Sequence, residues 1–276
     1  MSELPYAIQK AVNKYKSIEV DGMTFYPILV DEYEAFLAAR PGIEVMQQAL
    51  PTRLVSLPLL SALYMVDYDA ASEGNEPSGL FQRALLFLAL SLRLGEGQDM
   101  NERLKRFRLI VDKDNPSKLK AVRFTVGDET FDLSPVQFAR LRPILAAQNG
   151  VELEADDANP ELVQAERDIQ SQNAPELDMR LEDLISAVAL LSGADEAEVY
   201  DWPILKLDRR KDAASRLINY VTCSINEGAG CKWKGGNPVP SLWFNRTKKS
   251  SALVALSDFA NGAGQKAVSN PGVQVS

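Results

Sequence analysis

The alternation of apolar and polar residues predicts two small β-structures in the first half of the chain. Residues 18–20 and 24–26 flank Asp21 and Gly22, a strong two-residue turn signal, and so predict a β-hairpin. Further along, the period of two typical of strands recurs in three consecutive runs. These runs, which predict an antiparallel meander, are residues 107–111, 119–126 and 129–133.

Apolar spacings of three and four residues predict that helices make up most of the rest. Residues 79–94 are apolar on nearly all sides, which indicates a buried central helix of the first domain. Residues 134–137, Ser-Pro-Val-Gln, have the capping-box spacing with proline at the first helical position, and Asn149 and Gly150 mark the end of that helix. Asp31 and Glu34 have the same spacing and predict an earlier helix start.

The second half of the chain is predicted to consist of helices that follow an acidic linker. Amphipathic stretches follow Asn159, Leu181 and Asp195, and a longer helix after Pro203 has a basic outer face. We therefore expect an α+β protein that is predominantly helical, with a small antiparallel sheet and packed helices, then a helical second region and a flexible tail. The expected divisions are residues 1–150, 151–226, a Trp/Pro/Lys-rich loop at 227–249, and a disordered tail at 250–276.

Charge changes sign near residue 201. Residues 148–201 hold 15 acidic and 2 basic side chains, whereas residues 202–249 hold 10 basic and 3 acidic ones. The whole chain of 276 residues carries a net charge of −8, which argues against nucleic-acid binding over its entire surface. Such asymmetry is typical of proteins whose surfaces meet other macromolecules.

Composition limits the chemistry that the chain can perform. It has no histidine, the commonest general base and metal ligand, and its two cysteines, Cys223 and Cys231, form no Cys-x-x-Cys motif. We therefore expect no catalytic residues, no metal site and no cofactor. The first residues lack the apolar core of an export signal, so reduced cysteines and a cytoplasmic location are expected. The most apolar run, residues 84–92, is shorter than the roughly 20 residues that cross a bilayer, so no membrane partner is expected.

Cations and aromatic residues alternate near the end of the basic stretch. Three interpretations remain open: a loop packed within the chain, a segment that binds a partner protein, or a surface that stacks and contacts nucleic acid. The candidate partner-binding residues are Lys232, Trp233, Lys234, Trp243, Phe244, Arg246, Arg209 and Arg210.

Residues 181–193, then Glu198-Val-Tyr-Asp-Trp202 and the long helix that follows, resemble helical proteins of tailed-phage and prophage tail clusters, including tail assembly chaperones. The segment at 18–27 is similar to the opening hairpin of small phage structural proteins, and residues 234–246 are similar to the ends of prophage proteins. The chain departs from these chaperones in its greater length and its β-containing first domain.

The resemblance implies a non-enzymatic protein of a phage or prophage that helps virion morphogenesis through protein–protein interaction. Its partners would be tape-measure or tail-tube proteins, in the cytoplasm of the bacterial host or in the virion itself. The alternative is a nucleic-acid-binding or regulatory module that uses the basic residues 206–249. The oligomeric state stays open.

Overall fold

The computed structural model describes residues 4–154, 159–173, 180–232, 239 and 241. This part of the chain is α+β and predominantly helical, with two small antiparallel sheets, as the sequence predicts. Two compact units are present: residues 1–158 with 177–215, and residues 159–176 with 216–276. The predicted divisions at 151, 227 and 250 stay predictions, and the predicted tail lies outside the described residues.

Ten α-helices lie in the described part of the chain. They are α1 (Tyr6–Asn13), α2 (Tyr33–Glu44), α3 (Leu59–Ser72), α4 (Leu80–Ser91), α5 (Met100–Leu104), α6 (Pro135–Gln148), α7 (Pro160–Asn173), α8 (Leu181–Ser192), α9 (Glu196–Tyr200) and α10 (Ile204–Gly228).

Both predicted β-structures are confirmed. Strands β1 (Ile18–Val20) and β2 (Met23–Phe25) pair antiparallel around Asp21 and Gly22, whose φ angles of 51° and 77° are those of a tight hairpin turn. Strands β3 (Arg108–Val111), β4 (Leu119–Val126) and β5 (Glu129–Leu133) form the meander in the order β3-β4-β5.

Only one of the two predicted capping boxes forms. At α6, the Ser134 side chain accepts from the Gln137 amide, and the Gln137 side chain accepts from the Ser134 amide. The box predicted at Asp31 is wrong, because α2 begins at Tyr33 and Asp31 lies in a 3-10 turn without a side-chain cap. Tertiary pairing decides this start: the Val30 amide donates to the Trp202 carbonyl at 2.8 Å, across 172 residues of chain.

Helix α4 is the centre of the core of the first unit, as predicted. Phe87, Leu88 and Ala89 are fully buried. Helix α2 crosses α4 at Gly42, where a β-carbon would lie 2.2 Å from the Ala84 backbone nitrogen. Two backbones can approach so closely only because the residue has no side chain.

Helices α8 and α9 and the first turn of α10 belong to the same core. Ile185, Val188, Val199 and Ile204 are all buried in the main cluster of the first unit. The second unit contains α7 and the later turns of α10, where Cys223 is buried and Ile225 is 65% exposed. Both cysteines are free thiols.

Candidate protein-binding cleft

An open cleft of about 760 Å³ lies in the first unit, between α3, α4, α5 and β3. Its walls are mainly aromatic and aliphatic, and four polar side chains stand among them. The lining residues are Tyr64, Asp67, Tyr68, Pro77, Phe81, Gln82, Leu85, Asn101, Leu104, Lys105, Phe107 and Leu109.

Two helices supply one wall through pairs of residues spaced four apart. Tyr64 and Tyr68 lie one turn apart on α3, as Phe81 and Leu85 do on α4, so each pair presents a single face. The Tyr64 and Phe81 rings meet edge to face with centroids 5.3 Å apart. This ring contact joins α3 to α4 within the chain itself, so the wall does not depend on a bound partner protein.

Hydrogen bonds fix the opposite side of the cleft. The Tyr64 hydroxyl donates to the Pro116 carbonyl at 3.0 Å and so ties α3 to the loop between β3 and β4. Burial, and then the neighbouring Tyr68, raise the pKa of Tyr64 above its ordinary value. The Asp99 side chain caps α5 by accepting from the amides of Asn101 and Glu102.

The two charged side chains of the cleft, Asp67 and Lys105, already have partners within the chain. Asp67 accepts from the Ser78 hydroxyl at 2.6 Å and from the Gly79 amide at 3.3 Å, which fixes the loop before α4. Lys105 forms an ion pair with Glu102, and this hydrogen-bonded carboxylate raises the pKa of Lys105. The cleft therefore offers a partner a mixed surface, in which aromatic and aliphatic side chains lie beside the amides of Gln82 and Asn101.

Leu109 and Tyr68 are exposed large apolar residues of the cleft. The side chain of Leu109 is 43% exposed and that of Tyr68 is 36% exposed, although both lie beside the buried residues Phe81 and Phe107. Covering apolar surface is favourable by about 25 cal/mol per Å². The cleft can therefore bind an apolar side chain of another molecule.

The three predicted residues that the structure describes do not line the cleft. Arg209 donates to Asn13 Oδ1 at 2.9 Å, and its guanidinium lies 5.4 Å from the centre of the Tyr15 ring, while its neighbour Arg210 is exposed. Lys232 is exposed and belongs to the second unit. The other five predicted residues are outside the described part of the chain: Trp233, Lys234, Trp243, Phe244 and Arg246.

The basic outer face predicted for the long helix is partly occupied by contacts within the first unit. The Lys206 ammonium lies 3.5 Å from the centre of the Trp202 ring, and burial lowers the pKa of this lysine. Lys211 donates to Asp208 at 2.8 Å. Arg209, Arg210 and Arg216 remain exposed on this face without an ion pair to any described residue.

Sequence reasoning missed the cleft itself. The sequence marks it only by two pairs of large apolar residues spaced four apart. Packing against the protein core already accounts for such pairs in these helices. Recognising them as a surface requires the positions of α3, α4, α5 and β3 relative to each other.

No protein family model, no curated protein and no solved structure matches this chain. Over the residues that the structure describes, no cluster of three or more histidine, cysteine or carboxylate side chains is arranged to hold a metal ion. None of the helices in that part combines the length and the apolar character needed to span a bilayer.

Proposed function

We propose that the protein works by binding another protein, without catalysing a reaction, and that the cleft between α3, α4, α5 and β3 is a binding site. The observation that supports this most is the partial exposure of Leu109 and Tyr68 in an open cleft whose charged side chains, Asp67 and Lys105, are already paired within the chain. Tyrosine is among the residues enriched at binding hot spots, and Tyr64 and Tyr68 both line this cleft.

The proposed partners are tape-measure or tail-tube proteins of a tailed phage or prophage, and the proposed role is tail assembly. This part of the proposal depends on the resemblance of residues 181–202 to proteins of tail gene clusters. It includes the location in the bacterial cytoplasm or the virion. The Trp-containing segment from Lys232 to Arg246 remains a second proposed contact with the same partner.

The cleft is tested by measuring the affinity of purified tail-tube and tape-measure proteins for the wild-type chain and two matched variants. Leu109→Gln places a polar amide in the cleft, and Leu37→Gln makes the same change at a residue on α2 that is 46% exposed and outside the cleft. We expect Leu109→Gln to weaken binding by at least about tenfold, the effect of losing roughly 1.4 kcal/mol, and Leu37→Gln to leave it unchanged.

Equal affinity of both variants and the wild type would reject the cleft as the binding site. Loss of binding in the double variant Trp233→Ala, Trp243→Ala, with Leu109→Gln unaffected, would place the contact in the Trp-containing segment instead. If none of the tail proteins binds the wild-type chain, the tail-assembly role is rejected.

The alternative function, nucleic-acid binding through residues 206–249, is supported by the exposed side chains of Arg210, Arg216 and Lys232. It is weakened by the contacts of Lys206 and Arg209 with aromatic rings of their own chain. Phosphate contacts make affinity fall steeply with salt concentration. A titration of double-stranded DNA and single-stranded RNA at low salt that shows no binding would remove this alternative.

A further inference from the structure

Among the described residues, strand β3 is an edge of the three-stranded sheet, and its hydrogen-bonding pattern follows from the turn between β4 and β5. The two-residue loop of Gly127 and Asp128 makes Val126 and Glu129 the closing pair, which exchange hydrogen bonds. Bonding directions alternate along a strand, so Val122 and Phe124 also bond to β5, while Ala121 and Arg123 bond to β3.

The residues of β3 that bond to β4 are therefore Arg108, which is opposite Arg123, and Ile110, which is opposite Ala121. The register of β3 and β4 shifts between Ile110 and Val111, and beyond this shift the Asp112 amide again bonds toward β4, donating to the Lys118 carbonyl at 2.9 Å. Leu109 lies between the bonded residues. Its N–H and C=O consequently point away from the sheet, toward the open edge.

Leu109 is thus the point where the free edge and the cleft meet. Its backbone groups lie on the open edge of the sheet, and its half-exposed side chain lines the cleft beside Phe107. A peptide strand added along β3 would satisfy these backbone groups and would place alternate side chains over the cleft. An apolar ligand without an extended backbone would use the cleft alone.

The charges around β3 indicate which kind of strand fits. Arg108 is exposed, and among the described residues no carboxylate lies within ion-pair distance of it. Its cross-strand neighbour Arg123 is already held by both carboxylate oxygens of Asp132, each at 2.7 Å. Arg106 hydrogen-bonds the neutral side chain of Gln98. Two uncompensated cations therefore stand at the start of the edge strand.

A second copy of the chain is a poorer occupant than an acidic strand. If two β3 strands paired antiparallel at Leu109, their Arg108 side chains would be diagonal neighbours about 7–8 Å apart on one face. The strand itself contains no acidic residue that would offset this repulsion.

We infer that β3 binds an acidic, extended segment of the partner protein by strand addition, with an apolar side chain of that segment in the cleft. This inference rests on the proposed function, because it specifies how the same cleft would recognise its partner. The recognition would combine backbone hydrogen bonds at Leu109, apolar contact with Leu109 and Tyr68, and ion pairs at Arg108.

The test uses a capped heptapeptide, Glu-Val-Glu-Leu-Glu-Val-Glu, at concentrations up to about 1 mM, where even weak specific binding is detectable. Amide exchange is followed by NMR in the full chain. We expect the Leu109 amide to be slowed at least tenfold by the peptide, whereas the amides of Arg108 and Ile110 change little. Arg108→Gln should weaken peptide binding, and Arg216→Gln, in the second unit, should not.

Two further arms separate backbone pairing from side-chain contact. The same peptide N-methylated at alternate residues keeps its side chains but loses donors, and it should bind at least tenfold more weakly. Leu109→Pro removes the amide of the edge, whereas Leu109→Ala shortens the side chain but keeps the amide, so Leu109→Pro should bind more weakly than Leu109→Ala.

Absence of peptide binding at 1 mM, or equal binding of the N-methylated peptide, would overturn strand addition. Concentration-dependent dimerisation that protects the Leu109 amide would replace the acidic partner with a second copy. The proposed function can be judged separately. If Leu109→Gln abolishes tail-protein binding but the peptide does not bind, the cleft remains the proposed binding site and only strand addition along β3 is rejected.

Discussion

The contact between α2 and α4 at Gly42 gives the sharpest stability prediction, for the substitution Gly42→Ala. The new β-carbon would lie 2.2 Å from the Ala84 nitrogen, 2.6 Å from the Arg83 carbonyl carbon and 2.8 Å from the Ala84 Cα. Ordinary contact begins at 3.4 Å, so the two helix backbones must separate by about 1.2 Å. No flexible side chain can absorb this shift, because all three atoms belong to the α4 backbone.

The cost follows from what that interface buries. Phe36, Ala39 and Ile43 of α2 face Phe87 and its neighbours in the main core, and the Phe36 and Phe87 rings lie 5.9 Å apart. A gap of 0.5–1 Å already forfeits roughly a quarter to a half of each dispersion contact. Overpacking typically costs about 1–3 kcal/mol, and the rigid backbone contact places Gly42→Ala near about 3 kcal/mol.

Urea unfolding followed by circular dichroism measures this loss, with Gly228→Ala as the matched control. Gly228 is also helical, and a β-carbon there meets no atom within 4 Å, so the control should be neutral or slightly stabilising, by about 0.4–1 kcal/mol. If Gly42→Ala lowers the free energy of unfolding by less than about 1 kcal/mol relative to this control, the close packing of α2 and α4 is refuted.

Three further predictions concern hydrogen bonds and charge. Asn149→Ala leaves the buried Ile28 amide without its acceptor, now at 2.8 Å, and should lower the urea-unfolding free energy by about 2 kcal/mol; a change under about 0.5 kcal/mol would contradict this. Ser134→Ala removes the cap of α6 and should cost about 1 kcal/mol by the same measurement, and an unchanged midpoint would show that the cap contributes nothing. The hydrogen-bonded Arg123 guanidinium lowers the pKa of Asp132, so this carboxylate stabilises the fold above its unfolded pKa of about 3.9, and the effect is lost as pH falls through the folded pKa. Asp132→Asn should therefore be less stable than the wild type at pH 7 and equal to it in acid. Equal stability at both pH values would contradict a stabilising ion pair between Arg123 and Asp132.

Local signals explain what the sequence predicted correctly. The hairpin at residues 18–25 and the start of α6 at Ser134 are each specified by residues within a few positions of each other, namely turn residues with positive φ and a capping box. The central position of α4 follows from its nearly continuous apolar surface. These features depend little on where distant parts of the chain lie.

The failures were decided by distant residues. Asp31 has the right spacing for a cap, but the hydrogen bond between Val30 and Trp202 fixes the start of α2 elsewhere. The sequence also suggested that Lys206 and Arg209 form a free basic face. In the structure, the Lys206 ammonium lies over the Trp202 ring and the Arg209 guanidinium lies over the Tyr15 ring.

The candidate cleft was out of reach for the same reason. Tyr64, Phe81, Leu104 and Leu109 come from three helices and one strand, and each looks like an ordinary core residue in its own segment. Only their assembly leaves Leu109 half exposed and the β3 edge open. No single residue type marks an open sheet edge, because an edge arises where no neighbouring strand pairs with that side of the sheet.

The pairing of residues 28–30 with 202–204 affects the order in which the molecule can be completed on the ribosome. The Ile28 carbonyl accepts from the Ile204 amide at 2.9 Å, so a segment made early waits for one made much later. A nascent chain that stops before residue 204 holds the hairpin and α4 but lacks Ile204 and Leu207, which are buried in the main core. Stalled or truncated products would therefore expose core residues such as Ile28 and Val30 that these later residues help to bury, and such exposed apolar surface is what chaperones and proteases recognise.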